Sequence, residues 1–158
     1  MQAVQVPFQS NIYLQAVSDI RALTVRDSSV CPLSPELEHL TSESEHTAAL
    51  VLSVDDNENS IQRVTDLMRQ HIGIAHLDVV VQAQPDGLYL GKTCLNTESL
   101  ERYAWDLQEW FSGIHRSVES DRPQLYIHVM GVRDIKQLNS VTRTLAQHTG
   151  AEVRVFNL

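Results

Sequence analysis

Short apolar runs at Ala48–Val54, Leu77–Val81, Leu125–Met130 and Val153–Phe156 are separated by segments whose apolar residues recur at helical spacing. Each run is too short for a helix of ordinary length and reads as a strand, the first two as strands buried on both faces. Strands alternating with helices need crossover connections, and these build a mostly parallel sheet with helices on both faces. The expected fold is therefore three-layer α/β.

The pattern can be followed along the chain. Leu23-Thr24-Val25 reads as the first strand and Pro35 to Leu40 as a short helix. Ile61, Val64, Leu67, Met68 and Ile72 form a helical stripe, with Gly73 as its stop. Pro85-Asp86-Gly87 is a turn signal, and Leu88-Tyr89-Leu90 and Thr93-Cys94-Leu95 read as a hairpin inserted around Gly91-Lys92. The spacing predicts one helix over Thr97–His115, capped by Asn96, with Leu100, Tyr103, Leu107, Trp110, Phe111 and Ile114 as its buried stripe. Ile135, Leu138, Thr142 and Leu145 mark a last helix ending near Gly150. Residues 22–158 are read as one domain, and residues 1–21 as an extension or arm in which Ile12-Tyr13-Leu14 is an edge strand, a partner-binding segment or a loosely docked stretch.

Composition narrows the partners. The formal net charge is -8, with no Lys/Arg-rich run, which argues against nucleic acid and anionic membrane. No stretch reaches the roughly 18 consecutive apolar residues of a membrane span. The first residues lack the basic and continuous apolar regions of a secretory signal, so a cytoplasmic location is expected. Cys31 and Cys94 form no CxxC and read as free thiols.

Several stretches taken together resemble one family. Leu23–Val30 with its Asp27-Ser28 step, the Asp-rich turn Asp55–Ile61, the hairpin Gly87–Gly91, Leu100–Ala104 with Leu107–Trp110, and Leu145–Val153 occur in a shared order. They resemble the caspase-like domain of unknown function found near the N-termini of large cyanobacterial and proteobacterial surface adhesins. The resemblance spans roughly Leu23 to Val155 and implies a caspase-like topology. It also implies a His general base at the end of the second central strand, within Ser-His-Gly, and a Cys nucleophile at the end of the next, within Gly-Cys-Asn.

The departures from that pattern carry the functional expectation. The His position falls on Gln82, and no His occurs between Leu77 and Tyr103. The Cys position falls on Met130. A thioether forms no thiolate, and a neutral amide accepts no proton at neutral pH. The expectation is a pseudoprotease-like, non-catalytic module that serves protein binding or homo-oligomeric assembly, with no cofactor and no metal.

Two other classes are open. A relocated cysteine hydrolase would use Cys94 with His128, although His128 shares a strand face with Tyr126 and Met130 and reads as a packed, hydrogen-bonded residue. A degenerate receiver-like ligand-binding domain would use Asp55 and Asp56, but its phosphoacceptor would be Val81 or Gln82. Asp55-x-Asn57-x-Asn59 also resembles the start of a Ca²⁺ loop, yet Ser60 replaces its glycine, and the segment reads as an Asx turn capping the helix. No phosphate-binding glycine loop, HExxH or GxSxG occurs. Trp105 lies off the buried stripe, either packed under a second layer or exposed as an interface anchor; it and Tyr13 are the candidate contact residues.

Overall fold

The structure is a computed structural model, and it describes residues 20–28, 47–52, 59–112, 122–131 and 135–157. The elements are β1 (Ala22–Asp27), β2 (Thr47–Leu52), α1 (Ser60–Gln70), β3 (His76–Gln84), β4 (Gly87–Leu90), β5 (Thr93–Leu95), α2 (Thr97–Arg102), α3 (Ala104–Glu109), β6 (Gln124–Met130), α4 (Ile135–Thr149) and β7 (Glu152–Asn157). They form an α/β fold with one seven-stranded sheet flanked by helices. Five strands run parallel in the order β2-β1-β3-β6-β7. The hairpin β4–β5 adds antiparallel to the far end of β3, beyond the point where β3 leaves β1. The sheet is thus mostly parallel with a hairpin insertion, as the sequence predicts. Among the described residues no helix is long and apolar enough to cross a membrane.

Alternation along the strands gives the sheet two chemically different faces. Leu77, Val79 and Val81 of β3 and Leu125, Ile127 and Val129 of β6 share the apolar face. Against it pack Ile61 of α1, Leu100 of α2, Trp110 just beyond α3, and Val141 and Leu145 of α4. These side chains are at most 5% exposed. A cavity of about 20 Å³ remains among them, room for about one water but with apolar walls.

α1 starts where Asn59 Oδ1 accepts from the Ile61 and Gln62 amides at 2.8 and 3.4 Å. Its first turn is bolted to the hairpin: Ser60 Oγ donates to the Leu90 carbonyl at 2.7 Å, and the Ser60 amide donates to Thr93 Oγ1 at 3.0 Å. Gly91 makes that approach possible, because it turns the hairpin at φ +60 and a Cβ there would stand 3.0 Å from Ser60 Oγ. The Asx-type cap expected from the Asp55-x-Asn57-x-Asn59 stretch is present, and Asn59 supplies it.

Three expectations need correction. β2 is not buried on both faces: Val51 is 44% exposed, and among the described residues β2 pairs only with β1, at the end of the sheet. α1 ends at Gln70 rather than near Gly73, which leaves Ile72 outside the helix and 64% exposed. The single helix over Thr97–His115 is two helices broken at Tyr103. Asn96 caps the first of them through a reciprocal box with Ser99. At the break the Tyr103 hydroxyl accepts from Asn59 Nδ2, and Leu100 and Leu107 on either side of it are both fully buried.

Candidate functional site

The carboxyl ends of β3 and β6 bring two predicted positions side by side. Gln82 is register-paired with Met130, so the two project from the same face one strand spacing apart, about 4.8 Å. The row continues into the hairpin, where Gln82 pairs with Tyr89 and Tyr89 with Cys94. Met130, Gln82, Tyr89 and Cys94 therefore form one line across four strands. Gln82 and Met130 are both half-buried.

Cys94 sits in that row with modest partners. Asn96 Nδ2 lies 3.7 Å from its sulfur, and the thiol points to the Asp86 carbonyl at 3.8 Å. Tyr89 donates its hydroxyl to Asp86. That bond, with burial and the neighbouring Cys94, holds the Tyr89 proton above the usual tyrosine range. Cys94 thus neighbours an amide, a carbonyl and a protonated phenol, none of which is a base for a thiol.

His128 lies elsewhere. It stands one row below Met130 and three strands from Cys94, about 14 Å by strand spacing. The structure does not bring the Cys94 and His128 pair together. His128 is buried, as its strand face predicts, and its partner is Asp78 of β3: Nε2 lies 2.9 Å from Asp78 Oδ1. The other carboxylate oxygen is 2.9 Å from His76 Nε2. His76 Nδ1 faces Gln124 Oε1 at 3.3 Å, so an imidazolium at 76 donates from both ring nitrogens. Phe156 stacks on the His128 ring at 5.2 Å, and Tyr126 meets His76 edge-on at 4.6 Å.

Charge explains the arrangement. Burial pushes the Asp78 carboxyl up, but hydrogen bonds from His128 and His76 and their charge outweigh it and bring the carboxyl to about 2. The bond to Asp78 raises His76 against the cost of its own burial. A carboxylate with both oxygens engaged by imidazoles ties β3 to β6. Sequence reading missed Asp78. His76-x-Asp78 on one strand face was its only local signal, since His128 is fifty residues away.

Trp105 is 82% exposed on α3, which decides between the two readings of its position in favour of exposure. Trp110, five residues on, is buried and donates from Nε1 to Thr65 Oγ1 at 2.8 Å. Tyr13, Cys31, Asp55, Asp56, Asn57 and Pro35 to Leu40, where a short helix is expected, lie outside the described residues.

No curated protein matches the chain. The model of the family described as a domain of unknown function (DUF4347) matches residues 30–156, most of the chain and most of the span on which the resemblance was read. The chain belongs to that domain family of unknown function, DUF4347.

Proposed function

We propose that this domain is a non-catalytic, pseudoprotease-like module of caspase-like descent, whose work is protein binding or assembly. The observation that supports this reading most is the pairing of Gln82 with Met130 at the carboxyl ends of adjacent parallel strands. Open α/β sheets use those ends to present reactive side chains. In this chain one end offers a neutral amide and the other a thioether, and neither acts as base or nucleophile. Among the described residues Cys94, the thiol in the row, has no imidazole partner, and His128 is engaged with Asp78.

Binding then falls to the surface. Trp105 is the large exposed aromatic of the α2–α3 segment, and tryptophan is a favoured anchor in protein interfaces. A protein partner or a second copy fits a chain of net charge -8 better than a nucleic acid does.

Competitive labelling with a thiol-directed electrophile tests the reading. Cys94 is expected to react at the rate of an ordinary free thiol. Rapid, selective modification of Cys94, abolished by His128→Gln, would instead identify an activated nucleophile and overturn it.

A further inference from the structure

We infer that the open edge of β7 pairs antiparallel with the same edge of a second copy of the chain, centred on Val155. This rests on the reading of the domain as an assembly module and names the partner and the surface.

β7 pairs with β6 over Glu152–Asn157, and among the described residues nothing pairs with its other side. The Glu152 amide donates to the Pro123 carbonyl at 2.8 Å, which fixes the alternation. In a parallel ladder the N–H and C=O of one residue point to the same side. Glu152, Arg154 and Phe156 therefore face β6 with their backbone groups, and Val153, Val155 and Asn157 direct theirs outward.

Edge strands in soluble proteins are commonly blunted by charged side chains, lysine above all, by proline or by a bulge. Glu-Val-Arg-Val-Phe-Asn contains no lysine or proline and keeps unbroken register throughout. Its two charges neutralise each other, with Arg154 Nη2 2.9 Å from Glu152 Oε1. Phe156 stays 39% exposed. The opposite edge, β2, reads Thr-Ala-Ala-Leu-Val-Leu and has no charged or aromatic side chain to set a register, and Thr47 is already engaged.

A twofold axis makes such an interface self-complementary, because residue i meets j and j meets i. Only registers that put outward-directed residues opposite one another satisfy the backbone. An axis at Arg154 sets that cation against its own copy. An axis at Val153 leaves Phe156 beyond the strand overlap and draws the end of α4 into the contact. An axis at Val155 overlaps Val153 to Asn157: Val153 meets Asn157 of the second copy, and Val155 meets itself. It also puts Arg154 opposite Phe156 of the second copy in a close, non-hydrogen-bonded pair, covering the exposed ring with a guanidinium. A single strand edge makes a small interface, so association is expected to depend on concentration.

Light scattering of the whole chain over a concentration series tests this. The mass is expected to rise from 17.8 kDa towards twice that value. Val155→Pro removes an outward amide and leaves the β6–β7 ladder intact, so it is expected to hold the mass at one chain. Phe156→Arg sets a second cation opposite Arg154 and is expected to do the same. Adding Arg154→Glu to Phe156→Arg restores opposite charges and is expected to restore the doubled mass. Circular dichroism of each variant confirms its fold, and the surface exchange at Phe156 keeps the test open if Val155→Pro does not fold. A wild-type mass of one chain at every concentration overturns the pairing. So does a doubled mass indifferent to both single variants. Association lost only in Trp105→Ala would overturn the β7 edge while leaving the assembly reading intact, whereas that reading falls by activation of Cys94.

Discussion

Asp78 accepts from His128 across the β3–β6 pairing and from His76 along its own strand, each at 2.9 Å. Both carboxylate oxygens are thereby engaged on the polar face of the sheet. Removing the acceptor strands two donors in a largely buried setting. Asp78→Ala is expected to destabilise the domain by about 1–3 kcal/mol, measured as a lower urea midpoint at unchanged slope. An unchanged midpoint would show that the network contributes nothing net.

The same cluster gives stability a pH signature of known sign. The Asp78 carboxyl is held below its ordinary 3.8, so its contribution is complete above 3.8 and is lost as pH falls through about 2. By linkage that contribution is on the order of 2 kcal/mol. His76 is raised above 6.5, so its contribution is complete below 6.5 and is lost as pH rises through the folded value. Unfolding midpoints are expected to decline above pH 6.5 in the wild type and to decline less in His76→Gln. Equal slopes in the two proteins would refute the assignment.

Gly91 gives a test of the joint between α1 and the hairpin. Gly91→Ala places a Cβ at φ +60 and 3.0 Å from Ser60 Oγ, against a hydroxyl already committed to the Leu90 carbonyl. The expected cost is about 1–3 kcal/mol in thermal or urea unfolding. The strained φ acts even if Ser60 gives way.

The two tryptophans are expected to separate stability from surface function. Trp105→Ala, at an exposed site, is expected to change stability by less than about 0.5 kcal/mol and to remove most iodide-quenchable fluorescence. Trp110→Ala empties a core position and leaves Thr65 Oγ1 without its donor, at an expected cost of about 3–5 kcal/mol.

Strand existence was legible because runs such as Leu77–Val81 and Leu125–Met130 have no helical reading of adequate length. The hairpin was legible from Pro85-Asp86-Gly87 and Gly91-Lys92, and Asn96 announced its own cap. The placement of β2 was not, because an uncharged strand reads alike at an edge and at the centre, and only the sheet order separates the two. The break at Tyr103 was hidden because the apolar stripe carries on in helical period through it, and the hydroxyl's partner Asn59 is forty-four residues away. The row that joins Gln82 to Met130, Tyr89 and Cys94 depends on register between strands, which periodicity alone does not contain. The His128–Asp78 contact was illegible for the same reason, although both residues were visible as polar breaks in apolar strands.

The most direct test of the central claim is turnover of a mixed fluorogenic peptide and ester library by the purified chain beside its Cys94→Ala variant. Both proteins are expected to stay at the rate of buffer alone. Hydrolysis by the wild type that disappears in Cys94→Ala would contradict it and make the row of Met130, Gln82, Tyr89 and Cys94 a working active site.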